Sequence, residues 1–449
     1  MHSLPSNLTK LSTFPQTSKA NDKGHLMVGN CNTIELAKQY GTPLYVIDLE
    51  TVKNKILEYT TSLERHYPNF LILYAAKAFA CTAIFKLANQ FNLGIDVVSG
   101  GELFIALNTH FNKDKIYFHG NNKSEEEIRY AITNSIGRIV CDNFYELKLL
   151  QTIAKEKNKV VDILIRLTPG IECHTHEYIK TGHLDSKFGF DLEHLDNVLE
   201  YLTESGKNLS LKGYHAHIGS QIFELEPYLD VVDILLEQAL HTKQKYNIEI
   251  QELDIGGGIG ISYLNSDDPI SINNWAKLTS EKIQKKCKDL NLKLPRLICE
   301  PGRSLIGASG ITLYKAGSTK QVPNGRKFIS VDGGMADNPR PITYKAEYTA
   351  VVANKINLSE SEQEIVTIAG RYCETGDILI KDILLPKILP GDIIAVSNTG
   401  AYNYSMSSNY NTVPRAACIL LSNGKSEVII ERETYNDLIA KHKIPSILI

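Results

Sequence analysis

The 449-residue sequence has no apolar run close to the roughly 20 residues that a membrane-spanning helix requires. Residues 1–16 lack the charged start and apolar centre of a secretory signal peptide. The eight cysteines include no CxxC pair and do not form a disulfide framework in a chain of this length. These absences predict a protein of the reducing cytoplasm with no membrane partner.

An excess of charge of one sign is also missing, because 48 lysines and arginines nearly balance 51 aspartates and glutamates. The net charge of −3 shows no basic footprint of the kind that binds nucleic acid. The apolar fraction of 43% is ordinary for a globular protein. A chain of this length exceeds the usual size of one hydrophobic core, so we expect two domains.

Short apolar runs alternate with longer amphipathic ones between about residues 70 and 300. Strands rich in β-branched residues, with helices between them, indicate parallel pairing. Eight such units favour a (β/α)8 TIM-type barrel, although a doubly wound sheet fits the same alternation. The candidate strands are residues 71–77, 95–99, 115–119, 138–141, 161–167, 212–217, 251–256 and 296–300.

The pattern changes after Ser304, where short β-like runs are separated by turn residues and long helical patterns are scarce. Such a pattern is typical of a mostly antiparallel β-domain, here a C-terminal sandwich or barrel-like domain. We therefore expect a barrel over residues 46–305 and a β-domain over residues 306–449, to which residues 1–45 contribute. The candidate strands of the β-domain are residues 310–315, 326–331, 348–353, 364–369, 392–397 and 426–432.

Functional side chains in such a barrel lie at the C-terminal ends of its strands. Several titratable groups follow the candidate strands directly, so they are expected to converge on one rim. These strand-end residues are Lys77, Asp96, His119, Asp142, Arg166, His217, the glycines at 256–258 and residues 300–303.

Lys77 follows the first candidate strand within the segment YAAKAF, residues 74–79, whose side chains are mostly small and apolar. A lysine in such surroundings is expected to be buried, and burial disfavours the charged ammonium. A neutral amine is the form that Schiff-base chemistry requires. The alternative is a lysine whose charged end reaches solvent along its own stem.

A run of glycines and a carboxylate follow the last two candidate strands. The glycines at 256–258 let backbone N–H groups approach an anion closely, as a phosphate site requires. They do not complete a dinucleotide fingerprint, because Ile261 stands where the third glycine would be. Glu300 precedes Pro301 and Gly302, so it could mark a strand exit or pair with a protonated ring nitrogen of a cofactor.

Two histidines, His215 and His217, are expected on one face of the sixth candidate strand. They could ligate a metal with carboxylates from other strands, or one of them could stack on a cofactor ring. Ser220 follows and offers a hydroxyl to a phosphate. His174 and His176 also suggest a metal, but they fall in a long stretch that is better explained as a lid or specificity loop.

Further candidates fall in the β-rich part of the chain. Arg340 lies between Pro339 and Pro341 and could simply cap a turn, and Cys373 could be an inert buried thiol. Taken singly, each has a structural explanation at least as good as a functional one. Other polar side chains near them are Asp337, Tyr344, Glu374, Asp377 and Tyr402.

Taken together, the motifs resemble those of the diaminopimelate decarboxylases, which have the alanine-racemase-like (type III) pyridoxal phosphate fold. The resemblance covers nearly the whole chain, from about residue 24 onward, and it favours a barrel over a doubly wound sheet. The motifs are YAAKAF (74–79), DVVSGGEL (96–103), HTHEYIKTGHLDSKFGF (174–190), HAHIGSQ (215–221), DIGGGIGISY (254–263), EPGRS (300–304), ADNPRPITY (336–344), CETGD (373–377) and GAYNYSMSSNYN (400–411).

The resemblance implies pyridoxal 5'-phosphate as the cofactor, bound to Lys77 as a Schiff base, and no metal. His217 would stack on the pyridine ring, and Glu300 would pair with its nitrogen and keep the ring a strong electron sink. The implied cofactor-binding residues are Lys77, Asp96, His217, Ser220, Gly257, Gly258, Glu300, Pro301, Gly302, Arg303 and Tyr402.

The same resemblance implies decarboxylation of meso-2,6-diaminopimelate to L-lysine and CO2, the last step of lysine biosynthesis. A substrate with an amino-acid group at each end needs an arginine fork for its distal carboxylate. The resemblance assigns that carboxylate to Arg303, Arg340 and Tyr344. It assigns the distal ammonium to Glu374, and Tyr402 is a further implied substrate contact.

The family works as a homodimer with active sites at the interface between subunits. The resemblance therefore implies that Cys373 and Glu374 act on the site of the other subunit. Cys373 would donate the proton that replaces CO2, which makes it the second catalytic residue beside Lys77.

Three other interpretations compete with this one. A decarboxylase of the same fold could act on ornithine, arginine or carboxynorspermidine, although ornithine has no distal carboxylate to bind. A non-catalytic homologue would not need both Lys77 and Cys373. A metal-dependent barrel hydrolase that used His215 and His217 would leave Lys77 and Glu300 without a role.

Overall fold

The protein is described by a computed structural model over residues 11–171, 186–358 and 362–449. The chain divides into two compact units. The first, which we call the barrel unit, consists of Asn54–Ile261 and Asp268–Leu305. The second, which we call the β unit, consists of Met1–Lys53, Ser262–Asp267 and Ile306–Ile449.

Eight parallel strands close into a barrel in the order β9, β11, β12, β13, β5, β6, β7 and β8, with β8 paired back to β9. This closure confirms the predicted (β/α)8 barrel and excludes the doubly wound sheet. All eight candidate strands are present, although several are shorter than their apolar runs. Their bounds are β5 Phe70–Ala75, β6 Gly94–Val97, β7 Ile116–Phe118, β8 Arg138–Cys141, β9 Val161–Thr168, β11 Leu209–His215, β12 Glu252–Asp254 and β13 Arg296–Cys299, and a two-residue β10, Phe190–Asp191, extends the sheet beside β9.

Amphipathic helices separate the strands. The predicted capping box at Ser124 is confirmed, since its hydroxyl accepts the N–H of Glu127 and the Glu127 carboxylate accepts the N–H of Ser124. The helices of this part of the chain are α2 Leu49–His66, α3 Thr82–Gln90, α4 Gly100–Asn108, α5 Glu125–Asn134, α6 Phe144–Glu156, α7 Leu195–Glu204, α8 Glu226–Tyr246, α9 Ile272–Asp289 and α10 Arg303–Ile306. Each helix of the described ranges is too short or too polar to span a membrane.

The interior of the barrel is filled by apolar side chains from alternate positions of its strands. Full burial of each aliphatic or aromatic side chain contributes about 1.5–3 kcal/mol. Because this plug fills the barrel, polar side chains are directed to the strand ends. Its members are Leu71, Leu73, Tyr117, Val140, Leu164 and Ile298.

The β unit is a mixed sheet in the order β18, β17, β15, β14, β4, β20 and β21, with β19 paired to β14 and β16. Most pairs are antiparallel, as predicted, but β15 with β17 and β20 with β4 are parallel. The bounds are β4 Leu44–Asp48, β14 Gly310–Gln321, β15 Lys327–Val331, β16 Ala350–Val352, β17 Gln363–Ala369, β18 Ile378–Pro386, β19 Ile393–Val396, β20 Ala417–Ser422 and β21 Lys425–Ile430.

Smaller elements complete the β unit. The strands β1 Lys19–Ala20, β2 Leu26–Val28 and β3 Cys31–Asn32 form a separate sheet beside α1, Thr33–Tyr40. Two further helices are α11 Arg340–Tyr344 and α12 Tyr435–Ile439. The N-terminal elements pack in one core with the sheet, where Leu26, Val28 and Leu36 are buried together with Ile311 and Ile419.

Two strands of the β unit, β18 and β20, do not appear among the strands predicted from sequence. In β18, charged residues interrupt the apolar run, so the alternation of a half-buried strand is weak there. The segment follows the CETGD motif directly, and its pairing with β17 along nearly its whole length defines it.

Candidate active site

Lys77 lies at the C-terminal rim of the barrel, in a single 3-10 turn, Ala76–Ala78, that follows β5. Its neighbours Ala76 and Ala78 are buried, but the Lys77 side chain keeps 38% of its exposure. The prediction of a buried lysine was therefore wrong. The turn directs the long side chain out of the apolar strand end, and Nζ lies 3.6 Å from Oδ2 of Asp96.

Asp96 lies within the neighbouring strand β6, paired with Ala75 of β5, and is buried, with 1% of its side chain exposed. Its Oδ1 lies 3.8 Å from Nε2 of His119, which follows β7. Among the described residues, neither carboxylate oxygen of Asp96 accepts a hydrogen bond. A buried carboxylate with unused acceptors normally holds a cationic or hydrogen-bonding partner.

Glu300 follows β13 and is enclosed by two imidazoles. Its Oε1 lies 2.9 Å from Nε2 of His119, and its Oε2 lies 3.4 Å from Nε2 of His215. Burial alone would raise the pKa of Glu300, but His119 and His215 outweigh it and hold that pKa well below its usual range. Glu300 is therefore a buried anion, suited to bind a protonated ring nitrogen.

The same cluster changes the protonation of its neighbours. Burial lowers the pKa of His215 to about 3, so this imidazole is neutral near pH 7 despite the adjacent Glu300. Burial, and then the charge of Glu300, raise the pKa of Asp254 well above its usual range. The ligand atoms of His119, His215 and Glu300 lie within 4.8 Å of one another, a spacing that imidazole–carboxylate contacts already explain.

The glycines after β12 are required by close backbone contacts. A Cβ at residue 257 would lie 2.1 Å from the carbonyl oxygen of Glu300, and one at residue 258 would lie 2.5 Å from that of Gly219. The φ angles of Gly256 and Gly258 are 69° and 108°, in the region that favours glycine. The run thus brings bare backbone to the rim, as the phosphate-site hypothesis requires.

His217 contacts the glycine run, whereas His215 contacts Glu300. The N–H of Gly257 donates to Nδ1 of His217 at 3.1 Å, so that nitrogen is an acceptor. Burial, and then the charge of Lys77, lower the pKa of His217 well below its usual range. The two histidines therefore have different partners, and a neutral His217 ring can stack on a flat cofactor.

Arg303 and Ser220 form a cationic, hydroxyl-bearing pair on this rim. The Arg303 guanidinium donates to Oγ of Ser220, at 3.0 Å from Nη2 and 3.3 Å from Nε. A Cβ at Gly302 would come within 3.1 Å of the methyl groups of Ala75 and Ala78. The amine, the buried anion and this N–H, hydroxyl and guanidinium cradle fit a phosphorylated pyridine aldehyde.

Arg340 opens helix α11 of the β unit and is only 7% exposed. Its guanidinium carbon lies 5.6 Å from the ring centroids of Tyr263 and Tyr344 and 5.9 Å from that of Tyr402. Burial opposes the charge, but the surrounding tyrosines outweigh it and raise the pKa of Arg340. Within the described residues its Nε makes no hydrogen bond, which suits a site for an external carboxylate.

Tyr402 has a φ of 62°, a conformation that a bulky residue rarely adopts. Such strain persists only where the surroundings impose it, and it is concentrated at functional sites. The expected role of Tyr402 is compatible with this geometry.

Cys373 and Glu374 lie on an exposed turn of the β unit. The Asp377 carboxylate accepts the N–H groups of Tyr372, at 2.9 Å, and Met335, and Oδ1 of Asn411 accepts the N–H of Cys373 at 3.0 Å. The backbone of the turn is thus held by several hydrogen bonds, while Cys373 and Glu374 are exposed. The alternative that Cys373 is an inert buried thiol is excluded.

The predicted site residues fall into two groups. Those that the structure brings together on the barrel rim are Lys77, Asp96, His217, Ser220, Gly257, Gly258, Glu300, Pro301, Gly302 and Arg303. The β unit carries Arg340, Tyr344, Cys373, Glu374 and Tyr402. The predicted loop histidines His174 and His176 lie outside the described residues.

His119 and His215 are the residues that sequence reasoning did not assign to the cofactor site. Both stand out in the sequence, His119 at a strand end and His215 in a histidine pair, but neither lies in a pattern that marks a carboxylate partner. Their contact with Glu300 joins three strands that are far apart in sequence, so only the closed barrel reveals it.

Residues 50–307 match the family described as the pyridoxal-dependent decarboxylase, pyridoxal binding domain. The chain is 47% identical to the diaminopimelate decarboxylase of Synechocystis sp. over 445 residues, which covers 97% of this chain and 94% of that protein. It is 42% identical to the diaminopimelate decarboxylase of Bacillus subtilis over 425 residues, or 94% of this chain and 96% of that one.

Solved structures give the same result. The crystal structure of diaminopimelate decarboxylase from M. jannaschii in complex with L-lysine superposes with a TM-score of 0.90 at 34% identity. The superposition covers 97% of this chain and 99% of the chain in that structure. The corresponding Helicobacter pylori enzyme, also complexed with L-lysine, gives a TM-score of 0.82 at 33% identity over 91% of this chain and 98% of that one.

Proposed function

The chain belongs to the diaminopimelate decarboxylases within the pyridoxal-dependent decarboxylase family, and on that premise we propose that it converts meso-2,6-diaminopimelate to L-lysine and CO2. This reaction is the last step of lysine biosynthesis. The observation that carries the proposal is near full-length identity of 36–47% to relatives that all bear that name. The cofactor is pyridoxal 5'-phosphate.

When bound, pyridoxal phosphate withdraws electrons from the substrate Cα and so makes loss of CO2 possible. Lys77 supplies the amine that would hold the cofactor aldehyde, at the open end of the barrel. Glu300 supplies an anion for the ring nitrogen, and its low pKa keeps that anion charged. His217 offers a neutral ring face, since burial suppresses its protonation.

The cofactor phosphate would be held by the cradle after the last two barrel strands. We assign it to the N–H groups of Gly258 and Gly302, with the backbone around Gly257, and to the hydroxyl of Ser220 and the guanidinium of Arg303. This assignment is supported by the close packing that excludes a Cβ at Gly257 and Gly258 and by the Arg303–Ser220 hydrogen bonds. Asp96 lies 3.6 Å from the Lys77 amine and would orient it.

The distal end of the substrate carries both a carboxylate and an ammonium group. We assign the carboxylate to Arg303, Arg340 and Tyr344, with Tyr402 as a neighbouring contact. The buried Arg340, surrounded by tyrosine rings, supports this assignment because a desolvated guanidinium binds a carboxylate strongly. Glu374 would accept hydrogen bonds from the distal ammonium.

We further propose that the active form is a homodimer in which Cys373 and Glu374 serve the site of the other subunit. Cys373 Sγ would deliver the proton that takes the place of the carboxylate at Cα. The proposal is supported by the exposure of both side chains on a turn whose backbone is fixed by Asp377. The seven described cysteines are free thiols, which supports a cytoplasmic location.

The direct test is to incubate the purified protein with pyridoxal phosphate and meso-diaminopimelate and to measure L-lysine and CO2. Ornithine, arginine and L-lysine serve as competing substrates, because they lack the distal amino-acid group that Arg340 and Glu374 are proposed to bind. Turnover of diaminopimelate alone is the expected result. A preference for ornithine or arginine would show that the chain is a decarboxylase of another substrate.

A further inference from the structure

We propose that His119 and His215 are positioning residues that clamp the Glu300 carboxylate in the orientation required to bind the cofactor ring nitrogen. The inference rests on the proposed function, because it extends the role assigned there to Glu300. His119 and His215 would act through this carboxylate, without contact to the substrate.

The geometry gives each carboxylate oxygen its own imidazole. Nε2 of His119 lies 2.9 Å from Oε1, and Nε2 of His215 lies 3.4 Å from Oε2. The two rings pack edge to face, with centroids 4.9 Å apart and an interplanar angle of 72°. A carboxylate contacted at both oxygens cannot turn about its last bond without losing one of these contacts.

The backbone at each of these positions is fixed by the barrel. The His119 N–H donates to the carbonyl of Val97 at 2.8 Å, and the Glu300 N–H donates to that of Gly256 at 2.8 Å. His215 is paired within the ladder between β11 and its neighbours. Three separate strands therefore hold the clamp, so the placement of Glu300 does not depend on a flexible loop.

A purely structural role explains this cluster poorly. All three side chains are at most 4% exposed. Apolar side chains of similar volume would fill the same space without the free-energy cost of removing a carboxylate and two imidazoles from water. A buried carboxylate is normally retained where its charge is used. Other titratable or charged groups that act on Glu300 or on its two imidazoles are Asp96, whose Oδ1 lies 3.8 Å from Nε2 of His119, and Asp254, His217 and Arg166.

The test compares His119→Gln with His119→Asn. Both substitutions place an amide in the core, but only the glutamine amide reaches the position of Nε2. We expect His119→Asn to raise the cofactor dissociation constant about 10- to 100-fold, the loss expected when the close polar contact of a buried charged group is removed. His119→Gln should stay within about five-fold of the unmodified protein, because its amide restores the contact.

Cofactor binding is measured by absorbance titration of the cofactor-free protein, and turnover is measured at saturating cofactor. Because His119 does not touch substrate, the Asn variant should lower kcat with a change in KM of less than about two-fold. The absorbance spectrum of the bound cofactor should shift in the Asn variant and be restored in the Gln variant.

A matched control uses His241, whose Nε2 lies 2.7 Å from Asp196 on the outside of the barrel unit. His241→Asn and His241→Gln break or keep a similar imidazole–carboxylate contact, and neither should change cofactor affinity. A double-mutant cycle with Glu300→Gln asks whether His119 acts through that carboxylate. In the Glu300→Gln background, His119→Asn should raise the cofactor dissociation constant by less than about two-fold.

Equal cofactor affinity in the Asn and Gln variants, or additive effects in the cycle, would overturn the inference. A stoichiometric divalent ion in the purified protein, whose removal by a chelator abolishes cofactor binding, would overturn it as well. These outcomes leave the proposed function intact provided that the unmodified protein produces L-lysine. Failure of the unmodified protein to do so would sink the proposed function itself.

Discussion

Lys77 is the residue on which the proposed chemistry depends most directly. Its amine lies at the end of β5, 3.6 Å from a buried aspartate. Its partial exposure shows that the surrounding apolar strand does not by itself bury a long side chain that a short turn directs outward. The predicted Schiff-base role therefore depends on position at the rim, more than on the desolvation that the sequence first suggested.

We predict that Lys77→Ala removes the visible absorbance of the protein–cofactor Schiff base and lowers turnover by about three orders of magnitude or more. The physical reason is that no amine remains to hold the aldehyde. Lys86→Ala, which removes an exposed lysine on the next helix, should behave like the unmodified protein. Retention of both absorbance and turnover by Lys77→Ala would contradict the assignment.

Asp337 gives a prediction about pH and stability. Burial, only partly offset by the N–H of Gly334, raises the pKa of Asp337 to about 7. In the unfolded chain an aspartate ionises near pH 4. Between about pH 4 and about pH 7, the folded protein therefore keeps the proton on Asp337, whereas the unfolded chain has lost it. The stabilising contribution is therefore complete at low pH and is lost as pH rises through about 7.

Asp337→Asn removes this titration, because its amide is neutral at every pH. As the pH rises from about 5 to about 8, the free energy of unfolding of the variant should therefore increase by about 2–3 kcal/mol relative to that of the unmodified protein. Denaturant unfolding at both pH values measures the difference. Asp268→Asn, an exposed position, controls for the loss of one charge. A difference that does not change with pH would contradict the prediction.

At the level of elements, the short strand β12 and the glycine run after it form the part of the rim where we propose that the cofactor phosphate binds. The strand has only three residues, Glu252–Asp254, and the backbone that follows it packs closely against the carbonyl group of Glu300. Sequence predicted the glycine run as a phosphate site or a structural turn. A Cβ at residue 257 would lie only 2.1 Å from the Glu300 carbonyl oxygen, which explains why only glycine fits there.

We predict that Gly257→Ala weakens cofactor binding and destabilises the barrel by about 1–3 kcal/mol, because the new methyl group forces the backbone of Glu300 to move. Thermal unfolding and absorbance titration with pyridoxal phosphate measure the two effects. Gly101→Ala is the control, since its methyl group would meet only the hydroxyl of Ser99 at 3.7 Å in helix α4. Equal behaviour of the two variants would show that the close contact is relieved at no cost.

At the level of the whole molecule, each active site of the proposed dimer would contain residues from both subunits. Mixing Lys77→Ala with Cys373→Ala should restore activity if Cys373 serves the other subunit, because a mixed dimer then contains one site with neither substitution. Random exchange makes half of the dimers mixed, so the mixture should reach about one quarter of the activity of the unmodified protein.

The control mixes Lys77→Ala with Glu300→Gln. Both residues belong to the barrel unit, so every site of a mixed dimer would carry one of the two substitutions and no rescue is expected. The absence of rescue in the first mixture, after verified subunit exchange, would count against action between subunits. Each variant alone provides the baseline for its mixture.

The sequence alone predicted eight parallel strand–helix units and most strands of the β-domain, and the resemblance of its motifs to a known family predicted the closed barrel, the cofactor and the reaction. Those features depend on local patterns, namely alternating apolar runs and motifs in which neighbouring residues act together, such as EPGRS and CETGD. Such patterns can be recognised in the sequence because the residues that form them are close together in the chain.

Only the tertiary structure decided the exposure of Lys77, the assignment of Ser262–Asp267 to the β unit and the enclosure of Glu300 by two histidines. Each of these depends on contacts between distant parts of the chain. A closed barrel brings His119, His215 and Glu300 together although they lie far apart in the sequence. The balance of burial and charge that fixes their protonation exists only once that closure has taken place.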